Sequence, residues 1–269
     1  MQALIFTDLD GTLMDHETYS IEPARQVLDQ IAASDTPLIF NSSKTRAEII
    51  SLQQQLNLHC PFICENGAAL YNYKEPDYSG PTTYGPAIES WLGKVHDMRA
   101  ERGYRFDGFS DWSIAEVSKH TGLSQSESAL AKKREFSEPI QWHDSQEALE
   151  EFQQELTALQ LQLLEGGRFY SVQGIYDKST AMHWLMSREA NQNKIIVALG
   201  DGPNDHAMLN AADVAVIIKS AKSSRIQLDS PSRVIRSSEP GPEGWQAAMS
   251  KILAQLNSAE LSNQENTHG

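Results

Sequence analysis

Short apolar runs that stop abruptly at acidic or glycine-bearing turns constrain this chain more than any other feature. ALIFT (residues 3 to 7) halts at Asp8-Leu9-Asp10-Gly11-Thr12, PLIF (37 to 40) at Asn41-Ser42-Ser43-Lys44, and PFIC (61 to 64) at Glu65-Asn66-Gly67. Lys194 to Leu199 halts at Gly200-Asp201, and Val214 to Ile218 is a further run. Such runs, too short for helices and without polar alternation, predict strands buried on both faces. Helical patterns lie between them: Ile21 to Ala33 after the Pro23 start signal, Arg46 to Leu56 with Ile49, Ile50 and Leu52 inward, and Ala181 to Glu189 behind Lys178. Strand and helix in alternation predict βαβ units and a parallel sheet, where ligands gather at the carboxyl ends of the strands.

That rhythm breaks between about Tyr73 and Thr83, where KEPDYSGPT concentrates Pro, Gly and Ser as a boundary does. Helical patterns then run from Ile88 to Glu101 and from Gln125 to Arg134, the second opened by Ser124 with Glu127 three residues on, a capping box. A third helix is expected from Asp144, capped in the same manner with Glu147 and turning Leu149, Phe152, Leu156 and Leu159 inward. Strand-like pieces occupy 138–142, 160–164 and 168–172. The expected class is therefore α/β, with a Rossmann-like parallel-sheet core (1–82 and 174–256) interrupted by an inserted α+β domain (83–173), and a flexible tail at 257–269.

With 269 residues, 40% of them apolar, the chain can bury a full core without disulfides or a structural metal. Its formal net charge of −14 works against nucleic-acid backbones and anionic membrane surfaces as partners. Cys60 and Cys64 lack a further Cys or Cys/His pair to complete a tetrahedral metal site and are read as reduced, structural thiols. The opening MQALIFTDLDGT has no basic stretch and only a brief apolar run, and no later segment is apolar over a bilayer-spanning length. A soluble cytoplasmic protein is expected; its oligomeric state is not legible.

Two carboxylates, Asp8 and Asp10, at the exit of a buried strand and followed by a turn-permitting glycine suit phosphoryl transfer: one attacks phosphorus while the other shuttles a proton. An Asp-Gly turn that merely ends a strand looks the same in isolation. The second fragment, Gly200-Asp201-Gly202-Pro203-Asn204-Asp205, repeats the pattern at another strand exit. A parallel sheet brings such exits to one edge, so Asp201 and Asp205 are expected to meet Asp8 and Asp10 around one divalent cation, Mg²⁺, which relieves their repulsion. Ser42 and Ser43, at a strand end before a helix, offer hydroxyls and backbone N–H groups to a phosphate. Lys178 places a cation at a helix start, the unfavourable end of the dipole, which makes it more notable than a lysine on an exposed helix face, although taken alone it reads as a surface residue.

Asp-x-Asp-Gly-Thr, a strand-end Ser, a Lys and Gly-Asp-Gly-x-x-Asp, in that order and each at a βα boundary, resemble the haloacid dehalogenase-like superfamily of Mg²⁺-dependent phosphohydrolases. The resemblance implies that Asp8 is the nucleophile and forms an aspartyl-phosphate. It implies that Asp10 is the general acid/base and gives a backbone oxygen to Mg²⁺, that Ser42 binds phosphate, and that Lys178 neutralises phosphate and nucleophile. It implies also that Asp201 ligates the metal, with Asp205 supporting it. The carboxylate at position 10 favours an ester phosphatase over members that lack an acid there. The insertion resembles the large α/β cap that closes over the site in one branch of the superfamily and selects the substrate.

Further stretches narrow the likeness. Glu65-Asn66-Gly67-Ala68, Arg134-Glu135-Phe136-Ser137-Glu138-Pro139, Gly166-Gly167-Arg168-Phe169-Tyr170 and Pro240-Gly241-Pro242-Glu243-Gly244-Trp245 resemble the mannosyl-3-phosphoglycerate phosphatase family, as does Ser-Ser-Lys-Thr at 42–45. The implied partner is a small phosphorylated sugar-acid. Against it, Arg134 and Arg168, beside chain breaks, are expected to give fork-shaped donors to a carboxylate or phosphate. Glu65, Asn66 and Glu138 are expected to bind sugar hydroxyls. Lys132 and Lys133 read as solvated helix ends; Phe136, Phe169 and Tyr170 fit a domain core as well as a sugar platform; Trp245 is expected to cover a helix start. Glucosyl-3-phosphoglycerate or a broad range of sugar phosphates are alternative substrates. A sugar phosphotransferase, or a non-catalytic phospho-acceptor or sensor, are alternative functions.

Overall fold

The computed structural model describes residues 2–16, 18–34, 36–71, 81–166, 168–231 and 233–265. The expected boundary segment thus lies mostly outside the described residues, as does Gly167. The chain begins with β1 (Ala3–Thr7), α1 (Arg25–Ala32), β2 (Leu38–Asn41), α2 (Arg46–Leu56), β3 (Phe62–Cys64), β4 (Ala69–Tyr71) and β5 (Thr82–Thr83). Then come α3 (Leu92–Arg102), β6 (Phe106–Gly108), α4 (Ile114–Thr121), α5 (Gln125–Ala131), β7 (Ser137–Trp142), α6 (Gln146–Ala158), β8 (Leu161–Glu165) and β9 (Tyr170–Gly174). The last elements are α7 (Lys178–Met186), β10 (Ile195–Gly200), α8 (His206–Asn210), β11 (Val214–Lys219), β12 (Arg233–Pro240) and α9 (Gly241–Glu265).

The residues fall into two compact units, Met1–Ser42 with Ala181–Gly269, and Ser43–Thr180. The second is therefore inserted in the first along the chain, and the expected boundaries at 82/83 and 173/174 lie inside it.

In the first unit, five parallel strands run in the order β12-β11-β10-β1-β2. Every residue of β1 and β2 is buried, which is why these segments read as unbroken apolar runs. Thr7 pairs with Leu199 on one side and Phe40 on the other. The exits of β1 and β10 therefore lie at one level of one edge. Strand β12 is largely exposed at the sheet border, and its mixed RVIRSSEP composition gives no buried-strand signal. Helix α9 buries Trp245, Ala248, Met249, Ile252 and Leu256, the spacing of one helical face. Its backbone is helical through Glu265, and 266–269 lie outside the described residues.

The second unit holds an antiparallel β3-β4-β5 ladder and a four-stranded antiparallel sheet ordered β6-β7-β9-β8. Trp91, Val95, Phe106, Ile140, Phe152, Leu156, Leu161 and Val172 form the core of the four-stranded part. Two helix starts differ from expectation. The pattern from Ile88 divides into a 3₁₀ turn (Ile88–Ser90) and α3, because Trp91 leaves helical geometry at φ −136°. Helix α6 is capped by Ser145 rather than Asp144: Ser145 Oγ accepts from Ala148 N at 3.2 Å, while the Asp144 carboxylate accepts from Arg105 Nη2 at 3.1 Å. Helix α4 follows a capping box of Ser113 and Glu116. Together the units make an α/β fold of Rossmann type interrupted by an α+β insertion.

Candidate active site

The turn after β1 folds tightly on itself. Asp8 N donates to Leu199 O at 2.9 Å, Met14 N to Leu9 O at 2.9 Å, and Gly11 N to Met14 O at 2.9 Å. Gly11 adopts φ +79°, and a Cβ there would stand 2.9 Å from Asp201 Oδ2. Glycine thus serves twice, by entering the left-handed region and by leaving room for the neighbouring carboxylate.

After β10, Asp205 organises the second turn: its Oδ2 accepts from Asp201 N at 2.9 Å and Gly202 N at 3.0 Å. Ser220, just past β11, donates from its hydroxyl to Asp201 O at 2.8 Å. The outcome is a triad of acids, Asp8, Asp201 and Asp205, whose ligand oxygens lie within 4.8 Å of one another. Asp8 and Asp205 are buried and Asp201 is half-buried. Thr12 Oγ stands 3.0 Å from Asp201 Oδ1 and 3.5 Å from Asp8 Oδ2, short enough to Asp201 for a full hydrogen bond and marginal to Asp8.

Three converging carboxylates repel one another, and a hard divalent cation is the simplest partner for such an all-oxygen set. The cradle that Gly11 keeps open for Asp201 fits the same reading. The Asp10 carboxylate is outside this triad; it is half-buried on the same turn, where Asp10 forms an isolated bridge with Met14.

Ser42 is fully buried directly after β2, and beside it the Asn41 side-chain amide donates to Met208 sulfur at 3.3 Å. Ser43 belongs to the second unit, where its carbonyl accepts from Arg134 Nη1 at 2.8 Å. The start of α2 is capped by Thr45, whose Oγ accepts from Glu48 N at 3.1 Å while Glu48 Oε2 accepts from Thr45 N at 2.8 Å. Lys178 is fully buried at the first position of α7, and a lysine is hardly ever so buried unless it is paired. Asp177 beside it caps the helix by accepting from Ser179 N at 2.8 Å.

The other expected substrate ligands lie in the second unit. Glu65, fully buried, accepts from Glu135 N at 2.9 Å, Phe136 N at 3.1 Å and Ser137 Oγ at 2.6 Å, with Arg134 Nη1 4.0 Å away. Its carboxylate braces the segment that carries Arg134 and Glu138. The backbone at Glu65 and Asn66 is left-handed, φ +46° and +60°, a strained arrangement that the surrounding bonds must maintain. Burial pushes the Glu65 carboxyl above its ordinary value, and Arg134 and the Ser137 hydrogen bond draw it back. Glu138 is likewise pushed up by burial and accepts from Ser110 N at 2.6 Å.

Arg134 lies over the Phe109 ring, its Nε buried with no hydrogen-bond partner among the described residues. Asn66 donates to Gln173 Oε1 at 3.2 Å, and its Oδ1 is buried and without a partner in the same sense. Arg168 donates to the Thr121 carbonyl. Phe169 packs edge-on to Phe109, and Phe136 is buried, the domain-core alternative. Lys132 is not a solvated helix end: its ammonium donates to the carbonyls of Phe109 and Trp112.

A parallel sheet with acids gathered at its strand exits, interrupted by an α+β insertion, is the architecture of an α/β hydrolase with a capped core. The sequence profile of the haloacid dehalogenase-like hydrolases matches residues 5–82 and 108–229. The chain belongs to that family. Solved structures agree on the fold. An HAD/COF-like hydrolase from Plasmodium vivax matches with a TM-score of 0.70 at 16% identity, over 95% of this chain and 96% of its own. A haloacid dehalogenase-like hydrolase from Bacteroides thetaiotaomicron gives 0.65 at 18%, over 94% and 100%. A sugar phosphatase of HAD subclass IIB gives 0.65 at 20%, over 93% and 99%. Among the described residues, no helix is long and apolar enough to cross a membrane.

Thr12 and Ser220 join the site without having been singled out for it. Thr12 was within the acidic motif. Ser220 had a signal too, because it stands at the exit of β11 as the acids stand at the exits of β1 and β10.

Proposed function

We propose that this protein is a Mg²⁺-dependent phosphatase that hydrolyses mannosyl-3-phosphoglycerate to mannosylglycerate and phosphate through an aspartyl-phosphate. The observation that carries the reading is the convergence of Asp8, on the turn that also bears Asp10, with Asp201 and Asp205 from the turn after β10, within 4.8 Å of one another. Mg²⁺ held by these acids would offset the charge of the phosphate and of the carboxylates. An Asp8 oxygen attacks phosphorus as the ester O–P bond breaks, and Asp10 gives its proton to the departing glycerate oxygen. Water then attacks phosphorus and yields a proton to Asp10. The Asp8 O–P bond breaks and inorganic phosphate leaves, returning both acids to their starting states.

Ser42 and Ser43 supply donors to the phosphate oxygens, and the buried Lys178 supplies positive charge. The core then consists of 1–82 and 174–256, with 83–173 as the cap. Support for a sugar-acid substrate comes from the second unit, whose Arg134 Nε and Asn66 Oδ1 are buried polar atoms with no partner among the described residues. Such atoms are costly unless something binds them, and a carboxylate and a hydroxyl are the groups they match. Arg168 and Glu138 complete this set, and Glu65 holds it in place. The enzyme is inferred to be cytoplasmic.

The test is phosphate release with Mg²⁺, and with EDTA as control, from mannosyl-3-phosphoglycerate, glucosyl-3-phosphoglycerate and hexose phosphates. The reading expects kcat/KM to be highest for the mannosyl ester. Equal values for plain hexose phosphates would replace it with a broad sugar phosphatase, and phosphate release only when a second sugar is added would replace it with a phosphotransferase.

A further inference from the structure

The motif Pro240-Gly241-Pro242-Glu243-Gly244-Trp245 delivers a large indole to the end of β1. Trp245 is 0% exposed, and its Nε1–H donates to Thr7 Oγ at 3.0 Å. Because an indole nitrogen only donates, the Thr7 hydroxyl must spend its own proton elsewhere. It donates to the carbonyl oxygen of Asp8 at 2.8 Å. On the other side, the Asp8 N–H donates to Leu199 O at 2.9 Å. Both main-chain polar groups of Asp8 are thus held, one by the sheet and one by a relay that begins in α9.

The approach of the indole depends on the glycines before it. A Cβ on Gly244 would stand 2.1 Å from Glu239 O and 2.7 Å from Ser237 Oγ, and Gly241 takes φ +50°. These are positions that a side chain would spoil, as expected where α9 must enter at one fixed height. Packing alone would be served equally well by an apolar ring. The directional relay is served by Trp.

We infer that Trp245, acting through the Thr7 hydroxyl, is a positioning residue that fixes the peptide plane of Asp8 and so the line along which its carboxylate meets phosphorus. The inference rests on the reading of Asp8 as nucleophile. Attack requires near-contact alignment, and small displacements are expensive in rate. The relay would therefore act on kcat, leaving substrate binding largely unchanged.

The test compares Trp245→Phe, Thr7→Val, Thr7→Ser and the double variant Trp245→Phe/Thr7→Val, with p-nitrophenyl phosphate and saturating Mg²⁺ well below each melting temperature. The first two should lower kcat on the order of tenfold with KM within about twofold. Thr7→Ser, which retains the hydroxyl, should restore kcat. The double variant should be no slower than the slower single, since both break one relay. Wild-type kcat in Thr7→Val, or losses that multiply in the double variant, would overturn the inference; Thr7→Val keeps it testable should Trp245→Phe fail to fold. Asp8→Asn separates the two ideas: its full activity would remove the nucleophile reading, whereas an inactive Asp8→Asn beside a fully active Thr7→Val would remove only the relay.

Discussion

Gly11→Ala is the substitution in which backbone and metal site are tested at once. The residue has φ +79°, where an L side chain costs about 1–2 kcal/mol. Its new Cβ would stand 2.9 Å from Asp201 Oδ2, 3.3 Å from Oδ1 and 3.2 Å from Cγ, so the carboxylate must retreat by about 0.6 Å to reach ordinary contact. That exceeds the ~0.2 Å tolerance of a metal site. The backbone cost should lower Tm by about 2–4 °C in a chain of this size. The displaced ligand should raise the Mg²⁺ concentration for half-maximal phosphate release by about tenfold or more. The two effects are separable by melting the protein with and without Mg²⁺. Wild type should gain stability from the ion by mass action, and a tenfold weaker site should gain about 1.4 kcal/mol less at the same saturating concentration. A variant with lowered Tm but an unchanged Mg²⁺ midpoint would refute the placement of Asp201 at the ion.

Three further substitutions probe other contacts. Gly67→Ala would place a Cβ 1.9 Å from the backbone oxygen of Asp177 at φ +109°; a loss above about 4 kcal/mol is expected, read as collapse of soluble yield or of Tm, and a Tm near wild type would contradict this geometry. Asp205→Ala removes the acceptor of two backbone N–H groups and should cost about 2–4 kcal/mol while raising the Mg²⁺ midpoint; an unchanged midpoint would contradict its part in the site. Glu65→Gln tests burial of charge. Because burial raises the folded-state pKa of Glu65, the native state holds the proton more tightly than the unfolded chain. The stability linked to that proton is full below the unfolded value and is lost as pH rises through the folded one. Tm of Glu65→Gln minus Tm of wild type should therefore grow as pH is raised from about 4.5, and a difference flat from pH 4 to 8 would show that Glu65 titrates normally.

What the sequence discloses of this molecule follows from how locally each feature is encoded. Strands β1, β2, β10 and β11 are buried on both faces, so their composition alone marks them. The convergence of the carboxylates at the exits of β1 and β10 follows from topology once the strands are parallel. Strand β12 escapes notice because an exposed border strand needs no apolar run, and α4 because its Ser113/Glu116 box opens a helix with little apolar length. The start of α6 is misplaced by one residue since Asp144 and Ser145 are both competent caps, and only the distant Arg105 decides between them. Glu65 is legible as an important acid but not as a brace, because its donors come from residues 135–137. The link from Trp245 to Asp8 spans most of the chain and leaves no local trace at all.

The most direct measurement of the central claim is reductive trapping of the covalent intermediate. The enzyme is mixed with mannosyl-3-phosphoglycerate and Mg²⁺, quenched in acid within a turnover, treated with borohydride, digested and mapped by mass spectrometry. An acyl phosphate at Asp8 is reduced to an alcohol, so homoserine should replace aspartate at position 8, in wild type and only when substrate and metal are both present. Continued phosphate release with Asp8 unmodified in every digest would contradict the assignment of Asp8 as the nucleophile.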